Sequence, residues 1–142
     1  FRSSEDGLAR IQHVLAIQPQ IVILEFGAND VFAQFEPEAT YANLDRILTI
    51  LSAKEIGVLL AGSRVPSIAG PEYDEEFNAI FPRLAEKHGV AFYPFFLEGV
   101  AGKPELNTAD GIHPNAKGVA VVVERILPHV LGLVESRPVN RP

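Results

Sequence analysis

Three short runs, Ile21-Val22-Ile23-Leu24-Glu25-Phe26, Val58-Leu59-Leu60-Ala61 and Val90 to Tyr93, are almost continuously apolar, the first of them with β-branched residues. Runs of this kind, without the in-and-out alternation of a half-solvated sheet, read as strands covered on both faces, and such strands are usually parallel. Between and around them lie stripes at helical spacing. These are Leu8, Ile11 and Leu15; Tyr41, Leu44, Ile47, Leu48 and Leu51; Phe77, Ile80, Phe81 and Leu84; and Val119, Val122, Val123, Ile126, Val130 and Val134. Helix, strand, helix, strand, helix, strand, helix is the order that builds an α/β domain, a parallel sheet with helices on both faces. No repeat and no linker interrupts it, so residues 1–142 read as one domain.

The punctuation agrees. Ser3-x-x-Asp6 is a capping-box pattern opening a first helix that runs to near Pro19. Pro37 suits the first turn of the second helix. Gly89 closes the third, which Pro82 is expected to kink, and Pro128 is expected to bend the last. Asn115 is placed to cap that last helix, and the tail from Ser136 to Pro142 reads as frayed. The chain opens on Phe1 and holds no methionine, so a segment ahead of Phe1 is expected. Three strands make a thin sheet; one or two more are expected in that segment, which leaves one sheet edge raw.

Composition removes several function classes. Lys and Arg number 12 against 18 Asp and Glu, a net charge of -6, so no basic surface fit to hold a nucleic-acid backbone is implied. The absence of cysteine removes disulfides, thiolate nucleophiles and Cys-ligated metals. The apolar runs fall far short of the roughly 20 residues that cross a bilayer. No GxGxxG, P-loop or His-x-x-x-His spacing points to a nucleotide or a zincin-type metal.

In open parallel sheets, ligands bind beyond the carboxyl ends of the strands. Two loops there carry chemistry. In Gly27-Ala28-Asn29-Asp30 the glycine lets the chain turn sharply off its strand and leaves the Asn29 amide at the mouth of a cleft; taken alone, the four residues equally suit a plain turn. In Asp110-Gly111-Ile112-His113-Pro114-Asn115 the aspartate can fold back to accept the Nδ1 proton of His113, leaving Nε2 as the base. That is half of a catalytic triad, although an Asp capping a turn beside a packed His has the same spacing. His13, His88 and His129 fall on helices. Glu25 is an acid inside a buried strand and calls for a partner such as Arg64 or Arg10. No serine follows a strand in the strained turn an activated nucleophile needs; Ser3 or Ser4 is better explained as the first helix cap.

Taken in order, Gln18-Pro19, Gly27-Ala28-Asn29-Asp30, Arg64-Val65-Pro66, Phe81-Pro82-Arg83-Leu84-Ala85, Pro94 to Val100 and Asp110 to Asn115 resemble the SGNH (GDSL-type) hydrolases. The likeness is to their thioesterase I, lysophospholipase and arylesterase branch and covers about residues 7 to 135. It implies a three-layer α/β/α flavodoxin-like sandwich with a five-stranded parallel sheet, here without its N-terminal strand or strands. It further implies Asn29 as the oxyanion-hole asparagine, with Gly27 beside it, His113 as the base and Asp110 as the acid that orients the base. The family's Gly-Asp-Ser block has no counterpart in these 142 residues, and Phe1-Arg2-Ser3-Ser4 does not reproduce the block that supplies the oxyanion glycine.

The expected function is therefore the C-terminal portion of a serine ester or thioester hydrolase, inactive by itself. Its substrate would be a small ester, thioester or lysophospholipid, with no metal or cofactor required. A periplasmic or secreted location would follow from the family. Phe32, Phe35, Val65 and Ile68 either line an apolar acyl groove or anchor the fold. The rival readings are a non-catalytic α/β binding module that keeps the fold without the serine, and a divalent-metal phosphoesterase using Asp110, His113 and Asn29 as ligands.

Overall fold

Ile21–Glu25 (β1), Gly57–Ala61 (β2) and Ala91–Tyr93 (β3) form one parallel sheet in the order β1-β2-β3. The computed structural model describes residues 2–64, 67 and 69–137. Register sets Ile23 beside Leu59 and Leu24 beside Leu60, and then Leu60 beside Phe92. Because side chains along a strand alternate between faces, Val58 and Leu60 enter one core and Leu59 the other. All five residues of β2 are buried, as a central strand between two helical layers requires.

One layer holds Pro37–Ala53 (α4) and Pro71–His88 (α5), whose Leu44, Ile47, Leu48, Leu51, Phe77, Ile80, Phe81 and Leu84 pack with Leu24, Val58 and Leu60. Ser4–Ala9 (α1) and Ile11–Ala16 (α2) join this side through Ile11. On the opposite face Ala116–Ser136 (α6) seats Ile126, Val130 and Leu133 against Leu59 and Tyr93. A short helix, Ala28–Phe32 (α3), follows β1. Among the described residues no helix is long and apolar enough to cross a membrane.

Several boundaries differ from the sequence-based expectations. The first helix is two, because at Arg10 (φ -103°, ψ 9°) the hydrogen bonding tightens: the His13 amide reaches the Arg10 carbonyl at 3.0 Å. Helices α5 and α6 each run as one span through Pro82 and Pro128. Both prolines lie on the solvent side, where water can satisfy the carbonyl that loses its partner. A 3₁₀ turn, Pro104–Leu106, interrupts the long loop after β3. The tail beyond residue 137 lies outside the described residues.

β1 is not covered on both faces. Among the described residues it is an edge strand, and its Ile23 is 47% exposed, while α6 packs mainly against β2 and β3. α6 turns Val119, Val123, Leu127, Leu131 and Val134 to solvent, an apolar stripe along a helix whose other flank is already packed. The opposite layer is filled. Phe77 is 1% exposed and meets Phe81 edge-on at 5.5 Å. Phe77→Ala is expected to cost about 3–5 kcal/mol in urea unfolding; a loss below about 1 kcal/mol would show that this layer is loosely packed.

Candidate active site

The three strands being parallel, the loops after β1, β2 and β3 leave the same edge of the sheet. After Glu25 the chain turns through Gly27 at φ 132°, ψ -38°, a conformation that L side chains rarely adopt. Space is tight as well: a Cβ on Gly27 would lie 3.0 Å from both Phe77 Cζ and Phe81 Cζ, so the rings would have to give way by a few tenths of an ångström. The aromatic pair thus forms the floor beneath the turn. α3 starts at once, so Gly27-Ala28-Asn29-Asp30, read from sequence as a loop, is the entry to a helix. Asn29 is half-buried, and its Nδ2 donates to the Arg2 carbonyl at 2.9 Å. Asp30 is fully buried and takes hydrogen bonds from the Ser4 amide at 2.7 Å, the Ser4 hydroxyl and the Thr40 hydroxyl at 2.8 Å.

The loop after β3 is tied to the β2 end at its root. The Gly62 amide donates to the Tyr93 carbonyl at 2.8 Å, and the Phe96 amide to the Gly62 carbonyl at 2.9 Å. Farther along, an antiparallel bridge between Asn107 and Pro114 and a bond from the Thr108 amide to the His113 carbonyl at 2.7 Å close a tight loop. Asp110 sits at its centre. Its Oδ1 accepts from Thr108 Oγ1 at 2.6 Å, the Ile112 amide at 2.9 Å and the His113 amide at 3.0 Å. Its Oδ2 lies 2.6 Å from His113 Nδ1. A carboxylate only accepts, so Nδ1 carries the proton and the basic lone pair of a neutral imidazole falls on Nε2. Asn115 then caps α6, its Oδ1 accepting from the Gly118 amide at 3.0 Å.

The Thr108 hydroxyl, then His113, then the two backbone amides hold the Asp110 carboxyl well below the usual carboxylate range. A depressed carboxyl pKa lends the loop stability above the ordinary value of 3.8, lost only as the pH falls through the lowered one. Asp110 is therefore expected to stay ionised at about pH 3, where an ordinary aspartate is mostly protonated. Carbon-13 NMR of its carboxyl reads this; a midpoint near 3.8 would contradict the geometry.

The other candidates scatter. Phe32 is 44% exposed, and Phe35 is half-buried with its carbonyl accepting from Tyr73 Oη at 2.7 Å. Val65 and Ile68 lie outside the described residues. Glu25 is pushed up by burial, and among the described residues no ion pair joins it to Arg64 or Arg10; the Arg64 guanidinium lies 5.5 Å over the Phe95 ring instead. His88 Nε2 meets Asp45 at 2.7 Å, and His129 lies against the Tyr93 ring. Ser3 caps α1, while Ser4 belongs to the Asp30 cluster. Among the described residues no group of three or more His, Asp and Glu is arranged to hold a metal ion.

Residues 2–121 match the model of the GDSL-like lipase/acylhydrolase family. The chain belongs to that family. Over 114 residues it is 41% identical to thioesterase 1/protease 1/lysophospholipase L1 of Escherichia coli (strain K12), covering 80% of this chain and 55% of that protein. It is 36% identical over 120 residues to an arylesterase of Vibrio mimicus, covering 84% and 60%. The crystal structure of TesA superposes with a TM-score of 0.85 at 35% identity, covering 92% of this chain and 73% of that one. The chain thus spans little more than half the length of these two curated GDSL-family relatives while nearly all of it follows the fold.

Proposed function

We propose that the chain carries the proton-relay and oxyanion-holding part of a serine hydrolase for small carboxylic esters, thioesters or lysophospholipids. The attacking serine belongs to a Gly-Asp-Ser strand outside these 142 residues. The observation that carries this is the 2.6 Å contact of His113 Nδ1 with an Asp110 whose other oxygen is held by three donors. That arrangement fixes both the tautomer and the direction of the ring. The open β1 edge and the apolar α6 stripe support the second half of the proposal: unpaired strand groups and a bare apolar face are what a further strand and helix would cover.

In the reaction, the serine hydroxyl attacks the acyl carbonyl while His113 Nε2 takes its proton, and Asp110 stabilises the imidazolium that forms. The carbonyl oxygen gains negative charge and is held by the Asn29 amide with backbone donors. Collapse returns the carbonyl and expels the alcohol or thiol, protonated by His113. A water molecule, deprotonated by the same histidine, then attacks the acyl carbonyl; the acyl–serine bond breaks, the histidine returns the proton to the serine oxygen, and the acid leaves. Phe32, Phe35, Val65 and Ile68 either line the acyl groove or anchor the fold; Ala substitution with chain-length profiling of the assembled hydrolase separates the two, since groove residues change long-chain preference and anchors change stability.

The assembled hydrolase can be made by joining, ahead of residue 2, a relative's segment that carries the Gly-Asp-Ser strand. In it Asn29→Ala is expected to lower kcat by about 10²–10³ with little change in KM, the effect of one lost oxyanion donor. A kcat within a factor of about three of the parent would remove Asn29 from the reaction.

A further inference from the structure

The Asn29 amide has two N–H bonds, and one is committed to the Arg2 carbonyl at 2.9 Å. A carbonyl can only accept, so this contact decides which end of the amide faces the N-terminal segment, and it leaves the second N–H for another acceptor. What holds the Arg2 carbonyl in place is two residues farther on. Ser4 is fully buried and is gripped at both its amide and its hydroxyl by the two oxygens of Asp30. The Thr40 hydroxyl takes a further lone pair of Asp30 at 2.8 Å, and Asn43 Nδ2 donates to the Ser4 hydroxyl at 3.0 Å. The Asp30 carbonyl also accepts from the Phe35 amide at 2.9 Å, which ties the far end of α3 to the same point.

We infer that Asp30 is a positioning residue: through Ser4 it fixes the Arg2 carbonyl, and through that carbonyl the orientation of the Asn29 amide. This rests on the reading of Asn29 as an oxyanion donor and adds the device that aims it. A buried carboxylate with every donor in place is a rigid fixture, because any rotation would break a charge-assisted hydrogen bond in a medium with no water to replace it. Asn29 and Asp30 are neighbours in the first turn of one short helix, so the same turn carries both the donor and its anchor.

The test is made first on the 142-residue chain by nitrogen-15 NMR of the Asn29 side-chain amide. In Asp30→Ala its two proton resonances are expected to move together toward those of a free amide, and its hydrogen exchange to quicken about tenfold, as loss of one hydrogen bond requires. Asp30→Asn is expected to fall between Asp30→Ala and the parent: its oxygen still accepts from the Ser4 amide, while its NH₂ offers no acceptor for the Ser4 and Thr40 hydroxyl protons. Ser4→Ala, which removes one bond of the clamp, should give an intermediate result and serves if Asp30→Ala does not fold. Unchanged Asn29 signals in folded Asp30→Ala or Ser4→Ala would overturn the inference. So would loss of the fold in all the variants, which would make the cluster a folding determinant only. In the assembled hydrolase, Asp30→Ala should lower kcat rather than raise KM. If the amide signals move and kcat does not, the clamp stands and the oxyanion role of Asn29 falls.

Discussion

By itself, the 142-residue chain is expected to hydrolyse a p-nitrophenyl ester no faster than buffer at the same pH. Joined to a segment bearing the Gly-Asp-Ser strand, it is expected to gain on the order of a millionfold, the scale on which a serine enzyme depends on its nucleophile. The size of the gap follows from the division of labour. In the proposed division Asp110 and His113 move a proton and Asn29 holds an anion, while the hydroxyl that forms the acyl-enzyme, and so splits the difficult step into two easier ones, comes from the added strand. The gain would be read as kcat in a continuous nitrophenolate assay. Turnover by the chain alone, lost in His113→Ala, would contradict the division.

Removing the base should be nearly as severe as removing the nucleophile. In the assembled hydrolase His113→Ala is expected to lower kcat on the order of a millionfold, with KM shifted only slightly, because serine and histidine act as one unit and the loss of either removes the covalent route. The same non-additivity predicts that His113→Ala together with Asp110→Ala is no worse than His113→Ala alone. A double variant slower by a further large factor would mean that Asp110 works on something other than the imidazole. Steady-state kinetics on the three proteins separate these results. Far-ultraviolet circular dichroism serves as a check on folding, since both side chains lie in an exposed loop whose backbone bonds at Thr108 and Asn115 do not involve them.

Much of this was legible in the residue order. Strand positions showed because β2 is sandwiched and therefore apolar throughout, and helix positions because α4 and α5 each bury one stripe. Asp110 and His113 showed because the contact between them is local, three residues apart, and a loop can make it without help from the rest of the fold. Gly27 showed for a related reason, since its φ of 132° is a local demand, whereas the closeness of Phe77 and Phe81 was not legible.

What sequence did not reveal depends on long-range contact. Asp30 read as a turn former, yet its partners Ser4 and Thr40 lie 26 and 10 positions away, and only the packing of α1 and α4 around α3 makes it a buried anchor. Ile23 read as a covered position, because an apolar side chain looks the same whether its cover is present or not; in the fold it is 47% exposed, and α6 packs mainly on β2 and β3. Arg64 looked like a partner for Glu25 by charge alone, whereas its planar cation found an aromatic face. The sequence signal that could have flagged Asp30 is an acid flanked by Asn29 and Val31 in a segment that must leave a buried strand, where an unpaired charge would be costly.

The divided reaction centre is tested most directly by covalent capture with a p-nitrophenyl alkylphosphonate, which leaves a stable adduct on an activated serine, followed by intact mass and peptide mapping. The chain alone should take up no phosphonyl group. The assembled hydrolase should take up one, on the serine of the added Gly-Asp-Ser strand, and should lose it in His113→Ala. A stoichiometric adduct on Ser3, Ser4, Ser63 or Ser67 of the chain alone would place the nucleophile within these residues and contradict the division.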